Sequence, residues 1–143
     1  MAFLVIIGAG GAFGAILSAA KIGKHFSESV ALGNMGLFFP FLITAVLKTA
    51  QGSSTVAIIT AASIVQPLLP ALGLNTPNGE LLCVLAMGAG SMMLSHANDA
   101  YFWVIAKFSG IEMKSMLKVY TIATALMGLV TLVMVWLLSF FLL

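Results

Sequence analysis

Two short polar clusters, Gln51-Gly52-Ser53-Ser54-Thr55 and Ser95-His96-Ala97-Asn98-Asp99, interrupt a chain that is otherwise almost bare of polar chemistry. The second packs a hydroxyl, an imidazole, an amide and a carboxyl into consecutive positions. At membrane depth an Asp costs roughly 2.5 to 3.5 kcal/mol unless it faces a partner or a wet cavity, so such a cluster marks a function. Ser95 and Asn98 can each donate and accept, which suits a hydroxyl-bearing ligand. His96 and Asp99 are the groups able to carry a proton, because burial disfavours the charged form of each while a neighbouring opposite charge favours it. Asp99 is the preferred carrier: a neutralised carboxyl admits an anion that an ionised one repels. The structural alternative is an Asp99 that caps a helix opening at Ala100 and stays ionised in water. Asn98 has its own alternative, satisfying backbone groups freed at a helix break.

In the first cluster the amides and hydroxyls of Gly52, Ser53, Ser54 and Thr55 stand at a helix start. There the dipole and unpaired N–H groups favour an anion. Ser54 and Thr55 acting only as caps is the competing reading, and the two can coexist. Lys48 beside this cluster either attracts an anion or, as the better reading, snorkels from a helix end.

These clusters need elements to hold them, and composition says which. The chain has 143 residues, 62% hydrophobic and 7% charged, with a mean hydropathy of +1.17. Soluble domains run at about 45 to 50% apolar and about 25% charged, so the chain belongs in a bilayer. Uncharged runs cover residues 1–20, 29–47, 49–79, 81–98 and 119–143, each near or above the roughly 18 to 20 residues that cross a membrane as helix. Membrane strands would alternate apolar and polar residues. Ile58-Ile59-Thr60-Ala61-Ala62 and Val133-Met134-Val135-Trp136-Leu137-Leu138 do not. The expected fold is an all-α integral membrane domain, residues 1–143, of about four or five helical segments.

Lysines supply all six positive charges and are thinly spread, which excludes a phosphate-neutralising stripe and hence nucleic acid. A lone Cys83 and two distant His residues offer neither a disulfide nor a metal set, and no cofactor is implied. No nucleophile elbow or metal motif supports an intramembrane enzyme.

Along the chain, residues 3–20 read as a mature membrane segment, not a signal peptide, because no basic region follows Met1 and Gly8-Ala9-Gly10-Gly11-Ala12 breaks the apolar core. Small-residue packing is the plain use of those glycines. Residues 21–29, with His25, form a polar loop. Residues 30–74 describe a helical hairpin whose tip is the first cluster. Pro40 is expected to kink its first arm. Arm length leaves a spanning and a re-entrant hairpin both open, and the small hydroxyl-rich tip favours the re-entrant form. Asn75-Thr76-Pro77-Asn78-Gly79 is a turn, with Glu80 in the following first turn as a capping charge. Residues 81–108 form one crossing broken around Ser95 to Asp99, the arrangement in which transporters place substrate and ion sites. Residues 119–143 form the last spanning helix. Tyr101-Phe102-Trp103 reads as packing or interface anchoring. Lys107, Lys114 and Lys118, against Lys21 and Lys24, favour the later loop as the cytoplasmic one.

Gly10-Gly11-Ala12-Phe13, Gln51-Gly52-Ser53-Ser54-Thr55-Val56-Ala57 and Ser95-His96-Ala97-Asn98-Asp99-Ala100-Tyr101-Phe102-Trp103 together resemble the C-terminal part of the gluconate permease family of proton-coupled carboxylate symporters. The resemblance runs over nearly the whole chain. It implies one repeat of an ion-transporter-superfamily fold, a bacterial cytoplasmic (inner) membrane location, and proton symport of gluconate or a related small hydroxy acid. Substrate contacts are expected from Gly52, Ser53, Ser54, Thr55, Ser95 and Asn98, and proton coupling from Asp99 and His96. Family members are much longer. The expected partners are therefore the substrate anion, protons, the lipid bilayer, and an N-terminal permease half or further copies of the chain. The alternative is a truncated, non-transporting membrane protein or assembly subunit.

Overall fold

Short local signals write several of the helix boundaries, as the computed structural model shows for residues 35–143, which it describes together with Ala12, Ile16 and Ala19. The glycine-rich first segment and the loop at 21–29 lie outside the described residues. Helix α1, Phe38–Gln51, ends at Gly52, whose left-handed φ of 77° lets its N–H reach back to the Lys48 carbonyl. Glycine is the residue that adopts this cap without a Cβ penalty. Ser53 then caps α2, Ser54–Val65, by accepting from the Val56 amide. Two residues thus turn the chain between the helices. A single 3-10 turn, Gln66–Leu68, follows α2.

Helix α3, Pro77–Ser91, opens with Thr76 accepting from Gly79 N–H and Pro77 in the first position, where its missing N–H costs nothing. Residues 92–99 are irregular. Asp99 caps α4, Ala100–Ser109, and Gly110 ends it in the left-handed region. Helix α5, Met113–Leu142, has 30 residues and is the one described helix long and apolar enough to cross a membrane. At 1.5 Å per residue it reaches about 45 Å.

Several boundaries differ from those expected, among them the turn expected at 75–79, whose Pro77, Asn78 and Gly79 already belong to α3. Pro40 does not kink a helix; it is the third residue of α1, inside the first turn where amides have no intrahelical acceptor to lose. The hairpin arms are only 14 and 12 residues, because the cap chemistry confines them. The final helix starts at Met113, since Lys114 and Lys118 are exposed and tolerated in its first turns.

Packing follows small residues. Helix α1 buries Phe41, Thr44, Ala45 and Lys48 along one stripe, and the stripe meets α3 at Gly90, where an added Cβ would strike the Phe41 carbonyl. Gly128 of α5 likewise admits Ala89 and Met93. The core joins Phe41 of α1, Ala61 and Val65 of α2, Leu82, Ala86 and Met87 of α3, and Leu132 and Val135 of α5. The rest of α5 exposes apolar side chains such as Ile122, Val130, Met134 and Phe141. A helix apolar all round is suited to lipid.

Candidate functional site

The two polar clusters meet. A Cβ on Gly52 would overlap the backbone carbonyl of Asn98, so the hairpin turn and the 92–99 segment touch main chain to main chain. Only a glycine permits that approach. From the other strand of this seam, Asn98 Nδ2 donates to the carbonyls of Thr49 at 2.7 Å and Ala50 at 3.3 Å. His96 Nε2 lies 3.1 Å from the same Thr49 carbonyl. These are the carbonyls that the end of α1 leaves without helical partners. Ser54 Oγ donates to the Ser91 carbonyl at 2.9 Å, joining the start of α2 to the end of α3.

Beneath this layer lies an ion pair. Lys48 Nζ is 2.6 Å from Asp99 Oδ2 and donates to the Gly52 carbonyl at 2.7 Å. Both side chains are buried, at 3% and 6% exposure. Ser95 Oγ donates to the same Asp99 oxygen, while Asp99 Oδ1 accepts from Tyr101 N–H at 3.0 Å. Helix α5 supports the irregular segment from behind: Thr124 Oγ1 accepts from Ser95 N–H at 3.1 Å, and Thr121 Oγ1 donates to the Ser95 carbonyl at 2.7 Å. Every other charge of the described residues, Glu80, Lys107, Glu112, Lys114 and Lys118, is exposed. No buried side-chain nitrogen or oxygen among the described residues lacks a partner.

Several expected roles change in this geometry. Lys48 does not snorkel to water. It shares the buried stripe of Phe41 and Thr44, and its ammonium is held by a carboxylate and a helix-end carbonyl. Ser53, not Ser54 or Thr55, caps α2. Asp99 does cap α4, yet it is 4% exposed and ion-paired, so it is no solvated cap. Asn98 carries the backbone-satisfying contacts, with its residue exposed. Gln51 and Thr55, which flank the hairpin turn, are exposed as well. In the aromatic trio Phe102 is fully buried, Tyr101 is exposed, and Trp103 Nε1 donates to the Ala97 carbonyl. No group of three or more His, Cys, Asp or Glu among the described residues is placed to hold a metal.

Sequence reasoning missed the Lys48 pairing and the two threonines of α5. One signal for Lys48 was available: it is the sole charge between Glu28 and Glu80, and it stands four residues before the tip glycine, the spacing at which its stem reaches the last carbonyls.

The described residues, helical apart from turns and loops, with one long apolar helix, a tight helical hairpin and an irregular polar segment packed against its turn, have the architecture of a membrane transport protein. Residues 1–141 match the family described as GntP family permease, and the chain belongs to that family. A gluconate permease of Pseudomonas aeruginosa is 39% identical over 140 residues, 96% of this chain and 30% of that protein. An uncharacterized permease, YojA, of Bacillus subtilis is 39% identical over 126 residues, 87% of this chain and 28% of its own length. The D-serine transporter DsdX of Escherichia coli is 35% identical over 140 residues, covering 96% and 30%. The chain thus spans about 30% of the length of such relatives. No solved structure matches it.

Proposed function

We propose that this chain forms part of a secondary transporter that carries a small hydroxy carboxylate, gluconate or a close relative, together with a proton across a bacterial cytoplasmic membrane. The observation that carries the reading is the meeting of Gly52 with the 92–99 segment over the buried Lys48–Asp99 pair. A bilayer protein gains nothing from burying two charges unless they are used, since a packed apolar pair of the same volume is as stable or more so. The relatives' names add the substrate class. Gluconate and D-serine share a carboxylate and a hydroxyl, and this seam offers both hydroxyl and amide donors with a balanced charge.

In this reading the hairpin is re-entrant. Its arms, about 21 and 18 Å long by helical rise, stop short of the roughly 30 Å hydrocarbon layer. Substrate approaches the open side of the seam, past Gln51, Thr55 and Asn98. The first-turn amides of α2, with Ser53, Ser54 and Thr55, face its carboxylate or hydroxyls. Ser95 and Asn98 bind hydroxyls from the other side. Asp99 carries the proton, and His96 accompanies it at the rim. The remainder of the permease comes from an N-terminal portion or from further copies of the chain.

The test is uptake of labelled gluconate by cells lacking their own gluconate uptake. They would produce this chain alone, or with the part of the Pseudomonas aeruginosa permease that the match leaves uncovered. Uptake that alkalinises the medium, and that Asp99→Asn and Ser54→Ala reduce, supports the proposal. Absence of uptake under both conditions refutes it. A second reading, a non-transporting assembly subunit, draws on the complete pairing of buried polar groups. It predicts that both substitutions leave the phenotype unchanged.

A further inference from the structure

The polar contacts across the seam divide into two kinds. His96, Asn98 and Ser54 end on main-chain carbonyls, of Thr49, Ala50 and Ser91, and Thr121 and Thr124 end on the main chain of Ser95. Those bonds brace backbone against backbone. Lys48 and Asp99 alone join one movable charged side chain to another. An ammonium has three donors. Here two are engaged, on the Gly52 carbonyl and Asp99, and its four-carbon stem can re-aim it.

The charge count then sets a condition on any anion that enters. Asp99 accepts from Ser95 Oγ and the Tyr101 amide, Lys48 donates to the Gly52 carbonyl, and His96, from the same irregular segment, ends on the Thr49 carbonyl of α1. No other Lys, Asp or Glu among the described residues is buried, so the buried pair sums to zero. A carboxylate added to it leaves one uncompensated negative charge in a buried site, which is strongly disfavoured. A proton on Asp99 removes that excess. It also releases Lys48 from its counter-ion while leaving Asp99 a neutral carboxyl that can donate to Ser95.

We propose that Lys48 is the carboxylate anchor of this site: the substrate's carboxylate takes the place of Asp99 on the Lys48 ammonium when Asp99 takes up a proton. One proton binds, one ion pair breaks, one forms, and the site stays neutral with one proton admitted per monocarboxylate. The inference rests on the transport reading above and adds to it the residue that holds the anion and the reason for the coupling ratio.

The uptake assay above tests it with four variants. Lys48→Met alone leaves Asp99 unpaired and can fail to fold, so the deciding variant is Lys48→Met/Asp99→Asn, which removes both charges. Its amount in the membrane should match the unaltered chain, while its KM for gluconate rises about 10- to 100-fold, the loss expected of one charged hydrogen bond. Asp99→Asn alone keeps the anchor. Its KM for gluconate should stay well below that of the double variant, because the anchoring ammonium is still present, while accumulation and pH dependence are lost. Lys48→Arg should exceed Lys48→Met in uptake. A double variant with unaltered KM and pH profile overturns the anchor and leaves transport standing. So does an Asp99→Asn chain that reaches the membrane but shows the same KM rise as the double variant. Absence of uptake by the unaltered chain overturns transport and the anchor together.

Discussion

Substituting Gly52 tests directly whether contact between the hairpin turn and the irregular segment holds this structure together. Alanine at position 52 meets two separate penalties. Its φ of 77° lies in the left-handed region, which costs a residue with a Cβ roughly 1 to 2 kcal/mol. The new Cβ also falls on the carbonyl of Asn98, so the segment must retreat by roughly 1 Å to restore an ordinary contact. That retreat stretches the 2.7 Å bond from Asn98 to Thr49 and the 2.6 Å Lys48–Asp99 pair. Losing one neutral hydrogen bond costs about 0.5 to 1.5 kcal/mol, and weakening a buried ion pair costs more. The sum is about 3 to 5 kcal/mol. Gly110→Ala separates the penalties, because Gly110 shares the positive φ, at 65°, but an added Cβ there meets nothing within 4 Å. It should cost only about 1 to 2 kcal/mol. Thermal unfolding of the purified chain in detergent compares the two, at roughly 4 °C per kcal/mol for a chain of this size. Equal losses in Gly52→Ala and Gly110→Ala would refute the reasoning, since the contact would then carry no energy.

The remaining expectations concern the supports of the same seam. Lys48→Met should destabilise the chain by about 3 to 5 kcal/mol, and adding Asp99→Asn should recover most of it, because the cost lies in the orphaned charge; a double variant as unstable as the single one would contradict this. Thr124→Val keeps the shape but leaves the buried Ser95 amide unpaired, an expected loss of about 1 to 3 kcal/mol, with Thr124→Ser close to the unaltered chain. Gly128→Leu should separate α5 from α3, since even a Cβ there lies 2.7 Å from Met93 Sδ and 2.9 Å from the Ala89 carbonyl; cysteine cross-linking between the two helices would disappear. Leu94 has a φ of 38°, so Leu94→Gly should raise the unfolding temperature by relieving about 1 kcal/mol of backbone strain, and a lowered temperature would show that its side chain packs instead.

The sequence by itself determined the environment and the local boundaries of this protein. Hydropathy requires a helical membrane fold, because a chain with 7% charged residues cannot cover itself in water and only helices or closed barrels satisfy their backbone in lipid. Gly52, Ser53, Thr76-Pro77, Asp99 and Gly110 mark helix ends through caps that act within a few residues, so those ends are readable without knowing the fold. The chemistry-bearing clusters were legible for a similar reason: polar groups stand out where every neighbour is apolar.

The tertiary structure alone decided what each polar group faces. Lys48 reads as a helix-end lysine until α1 lies against the irregular segment, 51 residues away in sequence, and delivers Asp99 to it. Asn98 shows no partner until the end of α1 presents two unpaired carbonyls to it. Thr121 and Thr124 look like ordinary residues of an apolar helix until Ser95 arrives between them. Hydrogen bonds and ion pairs act over about 3 Å, and which residues come that close is set by glycine-permitted helix approach at Gly90 and Gly128, a property of the assembled packing that no local pattern encodes.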